Sequence, residues 1–460
     1  MTRVPNLQGA RVTVIGLGIE GIDLVRYLTA QGASVTVSDA RRAEQLDEAL
    51  AAIADCDPNL SLGENRVEDA TGADAVFVSQ GVPADLPALR AARRAEVPIS
   101  SMSQLFLERC PAPVAGITGS SGKTTTTALT GAMLDAAGLD HVVGGNIGVG
   151  LLGLLDQIEP ETRVVVELSH TQLEMVEQSP AMACVTNVTP NHLDQYSWAS
   201  YVDLKRRIFQ FQDEDDLAIF NLDDEVCAGF VDEARGRIAY TSTTRDLPGD
   251  GALLEGDMVV RRDGGADHEL LRRDEIALRG EHNVANVLSA AAIATRLGVG
   301  DAAIAEAVRS FSGVPHRLEP IATVRDVIYV NDSIATTPER TLAGLRSFEE
   351  PLVLLLGGRD KHLPLREMAA LAVERCRAVV TFGEAGDLFA DALREARDGD
   401  RPSIERVEDL PTAVRHASEH AQAGDVVLFS PAGTSFDAYR TFEARGADFR
   451  AAVAGLEGNA

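Results

Sequence analysis

Residues 113–129 read PVAGITGSSGKTTTTAL, and the reading of this stretch decides the rest. Val114 and Ala115 close a short apolar run suited to a buried strand, residues 116–122 form a turn of small side chains, and a helix begins at Lys123. Strand, glycine turn and helix N-terminus together aim several backbone N–H groups and the positive end of a helix dipole at one anion. Lys123 is then placed to reach the β- and γ-phosphates of ATP and the Thr124 hydroxyl to ligate Mg2+, with Gly119, Ser120, Ser121, Gly122 and Thr125 completing the cradle. The spacing departs from the strict phosphate-loop pattern: Gly116 lies one residue too far from Lys123, and Ile117 stands where the glycine is expected. A glycine turn before an ordinary helix is the plain alternative, and the strand before it and the threonine run after it favour the nucleotide.

Working outward, the chain of 460 residues is too long for one ordinary core, so two to four domains are expected. Lys and Arg number 42 against 70 Asp and Glu, and the net charge of -28 repels nucleic-acid backbones and anionic membranes. Five cysteines without CxxC spacing support neither a disulfide framework nor a zinc site and point to a reducing compartment. Residues 1–9 carry no export signal and no later apolar run approaches the roughly 18 residues of a membrane helix, so a cytoplasmic protein without membrane insertion is expected.

Upstream, the strand 11–15 runs into Gly16-Leu17-Gly18-Ile19-Glu20-Gly21, a helix over 22–31, and a second strand 34–38 ending in Asp39. This is the layout of a nucleotide-binding βαβ unit, in which the acid accepts from a ribose or base. Glu20 would repel a pyrophosphate there unless it turns outward. Another strand, 75–79, ends in Gln80-Gly81. A small Rossmann-like domain with no ligand is the alternative reading of this part.

Downstream, the apolar strand 163–168 delivers Glu167 near its C-terminal end, either as a second Mg2+ ligand opposite Thr124 or in a salt bridge with a lysine. The strand 183–187 leads into Val188-Thr189-Pro190-Asn191-His192-Leu193-Asp194, where His192 and Asp194 are placed to meet the phosphates. On the helix 201–211, Lys205 falls at the edge of the apolar face of Tyr201, Leu204, Ile208 and Phe211, either snorkelling to solvent or pointing into the site. Residues 242–274 read as a hairpin or irregular excursion, and Asn283 and Asn286 share one face of the next helix start, as nucleotide contacts or as caps. From the hinge Val314-Pro315-His316-Arg317 onward, strands 327–330, 351–356, 378–382 and 425–429 alternate with helices and predict a third doubly wound sheet with polar loops at its strand ends.

Taken in order, GITGSSGKTTTT, GGNIG, VVELSHTQLE, NVTPNHLDQY, GEHNVAN, GVPHRLE, NDSIATTPE, LLLGGRDK and SPAGTSFDAYRTFEARG resemble the Mur ligase family over essentially the whole chain, and the tail resembles its glutamate-adding members. The resemblance implies an α/β protein of three domains: a Rossmann-like UDP-sugar domain over 1–110, a central P-loop ATPase-like domain over 111–313 and a Rossmann-like amino-acid domain over 314–460. It implies ATP-driven addition of D-glutamate to UDP-N-acetylmuramoyl-L-alanine in peptidoglycan precursor synthesis, through an acyl phosphate, by a monomer. By the same resemblance Thr124, Glu167 and His192 hold two Mg2+ ions together with a carbamylated Lys205. Ile19, Asp39 and Gly81 contact the uridine diphosphate, and Asn146 and Ser169 the muramoyl side. Asn283 sits by adenine, and Arg317 and Asp332 by the phosphates and ribose of ATP. Thr336, Lys361, Ser435, Phe436 and Phe442 hold D-glutamate.

Several positions depart from the family pattern: Ser121 for the asparagine of TNGK, Ser169-His170-Thr171-Gln172 for SSFQ, Asn191 for the acid before HLD, Ile334 in NDSKAT, and Gln80 for the proline of SPG. None removes Lys123, Glu167, His192, Lys205 or Lys361, so the chemistry is expected to survive. Use of L-glutamate or another acceptor, a ligase fold without catalysis, and a dinucleotide oxidoreductase suggested by GLGIEG are the competing readings.

Overall fold

The computed structural model describes residues 6–145, 150–190, 195–278 and 280–457. Three sheets carry the fold, and the chain parts into two compact units, Met1–Phe311 and Ser312–Ala460.

In the first unit, a five-stranded parallel sheet runs Asn59–Leu62, Ser34–Asp39, Arg11–Ile15, Ala75–Val78, Ile99–Ser101. Val14 and Phe77 on one face and Ile15 and Val76 on the other are fully or almost fully buried, as expected of parallel strands covered on both faces. A nine-stranded sheet follows, with Val114–Thr118 between Met182–Val185 and Arg163–Glu167. Its far edge answers the polar stretch 242–274: Gly251–Glu255 continues the parallel sheet, then Met258–Asp263 and Ala266–Arg272 close it as an antiparallel hairpin. One hydrophobic cluster runs from Val12 and Phe77 through Leu105 and Phe106 to Val164, Leu168 and Phe220, so the first two sheets share a core. That continuity makes residues 1–311 one compact unit.

The second unit is built on a six-stranded sheet in the order Glu319–Val324, Val327–Asn331, Val426–Ala432, Leu352–Gly357, Cys376–Phe382, Ser403–Arg406. Leu352, Leu354 and Leu356 face one core and Val353 and Leu355 the other, the period of two placing helices on both sides. Among the described residues no helix is long and apolar enough to cross a membrane.

Candidate active site

The Val114–Thr118 strand ends in the phosphate loop, and the helix Lys123–Ala136 starts immediately after it. Two glycines of the loop admit no side chain. A Cβ at Gly119 would lie 2.0 Å from Thr186 Oγ1, and one at Gly122, whose φ is +79°, would lie 2.2 Å from Asn286 Oδ1. The end of the next strand ties the loop down: Ser120 N–H donates to Asn187 O (2.9 Å), Ser121 N–H to Asn187 Oδ1 (2.9 Å), and Thr186 Oγ1 to Ser121 O (2.7 Å). Ser121 is thus held through its backbone. Lys123 folds back over the loop and donates to Gly119 O (3.0 Å) and Ser120 O (3.2 Å).

Lys205 lies on the helix Trp198–Gln210, N-capped by Ser197, and it does not snorkel: the residue is 1% exposed. Its Nζ donates to Gly119 O (2.8 Å) and Thr118 Oγ1 (3.2 Å) and lies 5.3 Å from the centroid of the Tyr201 ring. Burial, joined by the Lys123 ammonium, pushes its pKa well below the usual lysine value, against the opposing pull of Glu167. Glu167 ends the strand Arg163–Glu167 opposite Ile117 and is 1% exposed. Thr124 is likewise buried, in the first turn of its helix. A hydroxyl and a carboxylate beside a phosphate loop are hard oxygen donors suited to Mg2+, which takes few protein ligands and keeps waters and phosphate oxygens. Among the described residues no three of His, Cys, Asp and Glu cluster as a metal site. His192 and Asn146, with Asn191 and Asp194, lie outside the described residues. Asn283 is half-buried at the start of the helix Glu281–Arg296, and its Oδ1 accepts from Asn286 Nδ2 (2.9 Å).

At the first sheet, Asp39 is turned onto the loop after Arg11–Ile15. It accepts from Leu17 N–H (2.8 Å) and Arg41 Nη2 (2.7 Å). Burial alone would raise its pKa, but the Arg41 hydrogen bonds and the Leu17 N–H hold it below the ordinary value. Ile19 is 67% exposed, and Gly81 has φ +87°. Glu20, which would repel a pyrophosphate unless turned outward, points inward: it is 8% exposed and accepts from Gln80 N–H and Gln172 Nε2, both at 2.8 Å. Ser169 caps the turn His170–Leu173.

In the second unit three loops meet at the C-terminal ends of adjacent strands. Ala432 N–H donates to Ala335 O, and Arg359 and Thr434 exchange backbone hydrogen bonds, which brings together the segments bearing Thr336, Lys361 and Ser435. Lys361 Nζ reaches Thr336 Oγ1 (3.3 Å). Ser435 is buried, Phe436 is 47% exposed, and half-buried Phe442 meets His316 edge-on at 6.1 Å. Arg317 is exposed between His316 and Leu318, both at positive φ, an uncommon backbone for residues other than glycine. Asp332 is buried, with Ser430 Oγ donating to it at 2.7 Å and Leu318 N–H at 3.2 Å.

Sequence reasoning passed over Thr186 and Asn187, which with Asn286 shape the phosphate loop, and Arg445, which is fully buried beneath the loops of the second unit. Arg445 donates to Ser333 Oγ, Ser333 O and Gly433 O (2.9–3.1 Å), and its place as the second of two arginines inside SPAGTSFDAYRTFEARG was its one visible signal.

Residues 10–101 match the MurD-like N-terminal domain of Mur ligases, 117–294 the Mur ligase middle domain, and 316–433 the Mur ligase glutamate ligase domain. A UDP-N-acetylmuramoylalanine--D-glutamate ligase of Symbiobacterium thermophilum is 42% identical, covering 97% of this chain and 98% of its own. One of Acetivibrio thermocellus is 36% identical, over 98% and 97%. The crystal structure of the UDP-N-acetylmuramate-alanine ligase MurC of Thermotoga maritima shares the fold, with a TM-score of 0.53 at 20% identity, over 98% of this chain and 100% of that one.

Proposed function

The chain belongs to the Mur ligase family, and from that premise we propose that it is the ATP-dependent ligase that joins D-glutamate to UDP-N-acetylmuramoyl-L-alanine in the cytoplasm, as a monomer. The observation that carries the reading is the meeting of Lys123 and Lys205 on the carbonyl of Gly119, within a cradle that only glycine can form.

A carboxylate is a poor electrophile because an oxide leaves badly. The terminal carboxylate of the nucleotide sugar attacks the γ-phosphorus of ATP, ADP leaves, and an acyl phosphate results. The amine of D-glutamate then attacks the acyl carbon, phosphate departs with the bonding pair, and the nitrogen gives up a proton as the amide forms. The protein's share is positioning and neutralisation of charge. Lys123 holds the β- and γ-phosphates, with the first turn of its helix aimed at the same anion. Thr124, Glu167 and His192 would hold Mg2+, at two sites, where it would supply positive charge against the phosphates. Lys205, its amine pushed toward the neutral form by burial and by the Lys123 ammonium, would take up CO2 through its nitrogen and release a proton, becoming a carboxylate-like ligand. Asn283 contacts adenine, and Arg317 and Asp332 carry over from the family pattern as partners of the phosphates and ribose. Ile19, Asp39, Gly81, Asn146 and Ser169 bind the nucleotide sugar. Lys361 pairs with a carboxylate of D-glutamate, with Thr336, Ser435, Phe436 and Phe442 around it. The domain division at residues 110 and 313 follows the same pattern.

Hydroxylamine trapping tests the intermediate. With ATP, Mg2+ and the nucleotide sugar but no amino acid, the protein should yield the sugar's hydroxamate; ATP consumption with D-glutamate but no trappable acyl species would contradict the route.

A further inference from the structure

We propose that Glu20 is a positioning residue for the nucleotide-sugar half of the site, holding the turn at Ser79–Gly81 and the turn at Ser169–Gln172 in one register. The inference rests on the ligase reading above. Glu20 stands in the first turn of the helix Ile19–Ala30 and is 8% exposed. Its two oxygens face two different elements: Oε2 accepts the Gln80 backbone N–H and Oε1 accepts Gln172 Nε2, each at 2.8 Å. The orientation of Gln172 is fixed from its other side, since its Oε1 accepts the Ser169 N–H at 2.9 Å. The side chain of Gln80 closes the ring, donating to Ser169 Oγ (3.2 Å) and Thr171 Oγ1 (2.6 Å).

The ring thus runs from the first sheet to the second and back, with a buried carboxylate at its hub. A carboxylate is costly to bury unless its oxygens are satisfied, and here each receives an N–H. The ring's members alternate along the chain with the proposed contacts of the nucleotide sugar: Ile19 precedes Glu20, Gly81 follows Gln80, and Ser169 caps the turn that carries Gln172. The glycine loop seats on the same turn, a Cβ at Gly16 falling 3.2 Å from Ser79 Cβ. A cavity of about 390 Å³ is lined by Glu20, Gln80, Gly81, Thr171, Gln172 and Tyr196 among others, so the ring forms part of a wall open to a ligand. The residues at 20, 80 and 171, unrelated when met in sequence, are one structure.

Glu20→Gln keeps the volume but turns an amide N–H₂ against one of the two donors. Its KM for UDP-N-acetylmuramoyl-L-alanine should rise about tenfold, the effect of one lost charge-assisted hydrogen bond, while kcat and the KM values for ATP and D-glutamate stay within about twofold of wild type. Gln80→Ala removes only the closing arm and should raise the same KM about threefold. The exchange Glu20→Gln with Gln172→Glu restores donor to acceptor at both contacts and should return the KM to within about threefold of wild type, a rescue that a merely space-filling role would not give. Wild-type KM in Glu20→Gln, or a double variant no better than the worse single one, overturns the proposal alone; a wild-type protein that does not turn over the nucleotide sugar overturns the ligase reading and the proposal with it.

Discussion

Lys205 Nζ lies 2.8 Å from the carbonyl oxygen of Gly119, so a lysine from a helix about eighty residues downstream is buried against the first glycine of the phosphate loop. Lys123 uses the same carbonyl from the other side of the turn. Two cations on one acceptor, one of them desolvated, make the protonated form of Lys205 costly and its neutral amine available.

Lys205→Ala should therefore abolish turnover, and added short carboxylates should partly restore it by standing in for a carbamate. Stripping CO2 from the wild-type assay should lower the rate and bicarbonate should return it. Full activity in the alanine variant, read by phosphate release, would end the carbamate role.

The phosphate loop is tested at Gly122. Any side chain there must adopt φ near +79° and meet Asn286 Oδ1. Gly122→Ala should weaken ATP binding at least about tenfold by calorimetry, since the left-handed backbone alone costs a non-glycine residue about 1–2 kcal/mol. Unchanged affinity would mean that the loop opens in solution.

Arg445 is fully buried and bonded to Ser333 Oγ and two backbone carbonyls, and burial lowers its pKa to about 10 against the opposing pull of Asp437 and Tyr439. Arg445→Ala leaves those oxygens unsatisfied and should cost about 3 kcal/mol in urea unfolding of the full chain. The KM for D-glutamate should rise as well, because the freed loops carry Thr336 and Ser435. A loss below about 0.5 kcal/mol, within the usual range of surface substitutions, would contradict the bracing role.

How far the sequence reads depends on how local each signal is. The phosphate loop was legible because glycines, Lys123 and Thr124 act within one turn, and Lys205 was legible as a charge out of place on an apolar face. Glu20 was not, since its partners Gln80 and Gln172 stand 60 and 152 residues away and only the fold brings them under its carboxylate. Asn286 gave a capping signal, whereas its Oδ1 marks the limit of space at Gly122. Element ends shifted by the same logic: the strand expected over 425–429 forms as Val426–Ala432, because its pairing with Leu352–Gly357 continues to Gly357 opposite Ala432.

Asp332 sets a pH dependence. Burial pushes its pKa up to about 7, against the opposing hydrogen bonds from Ser430 and Leu318. In the unfolded chain an aspartate titrates near about 4, so between about pH 4 and 7 the folded protein holds a proton that the unfolded chain releases. Stability from this group is complete below about pH 4 and is lost as the pH rises through about 7. The difference in unfolding midpoint between wild type and Asp332→Asn should fall from about pH 5 to pH 8; parallel pH profiles would contradict a buried, protonated Asp332.

The central claim is tested most directly by ATP-dependent phosphate release with Mg2+ and UDP-N-acetylmuramoyl-L-alanine, comparing D-glutamate, L-glutamate and no amino acid. Release that requires both the nucleotide sugar and D-glutamate is the result predicted here. Equal release with L-glutamate would contradict the assignment of the amino-acid site, and no release with any of them would contradict the ligase itself.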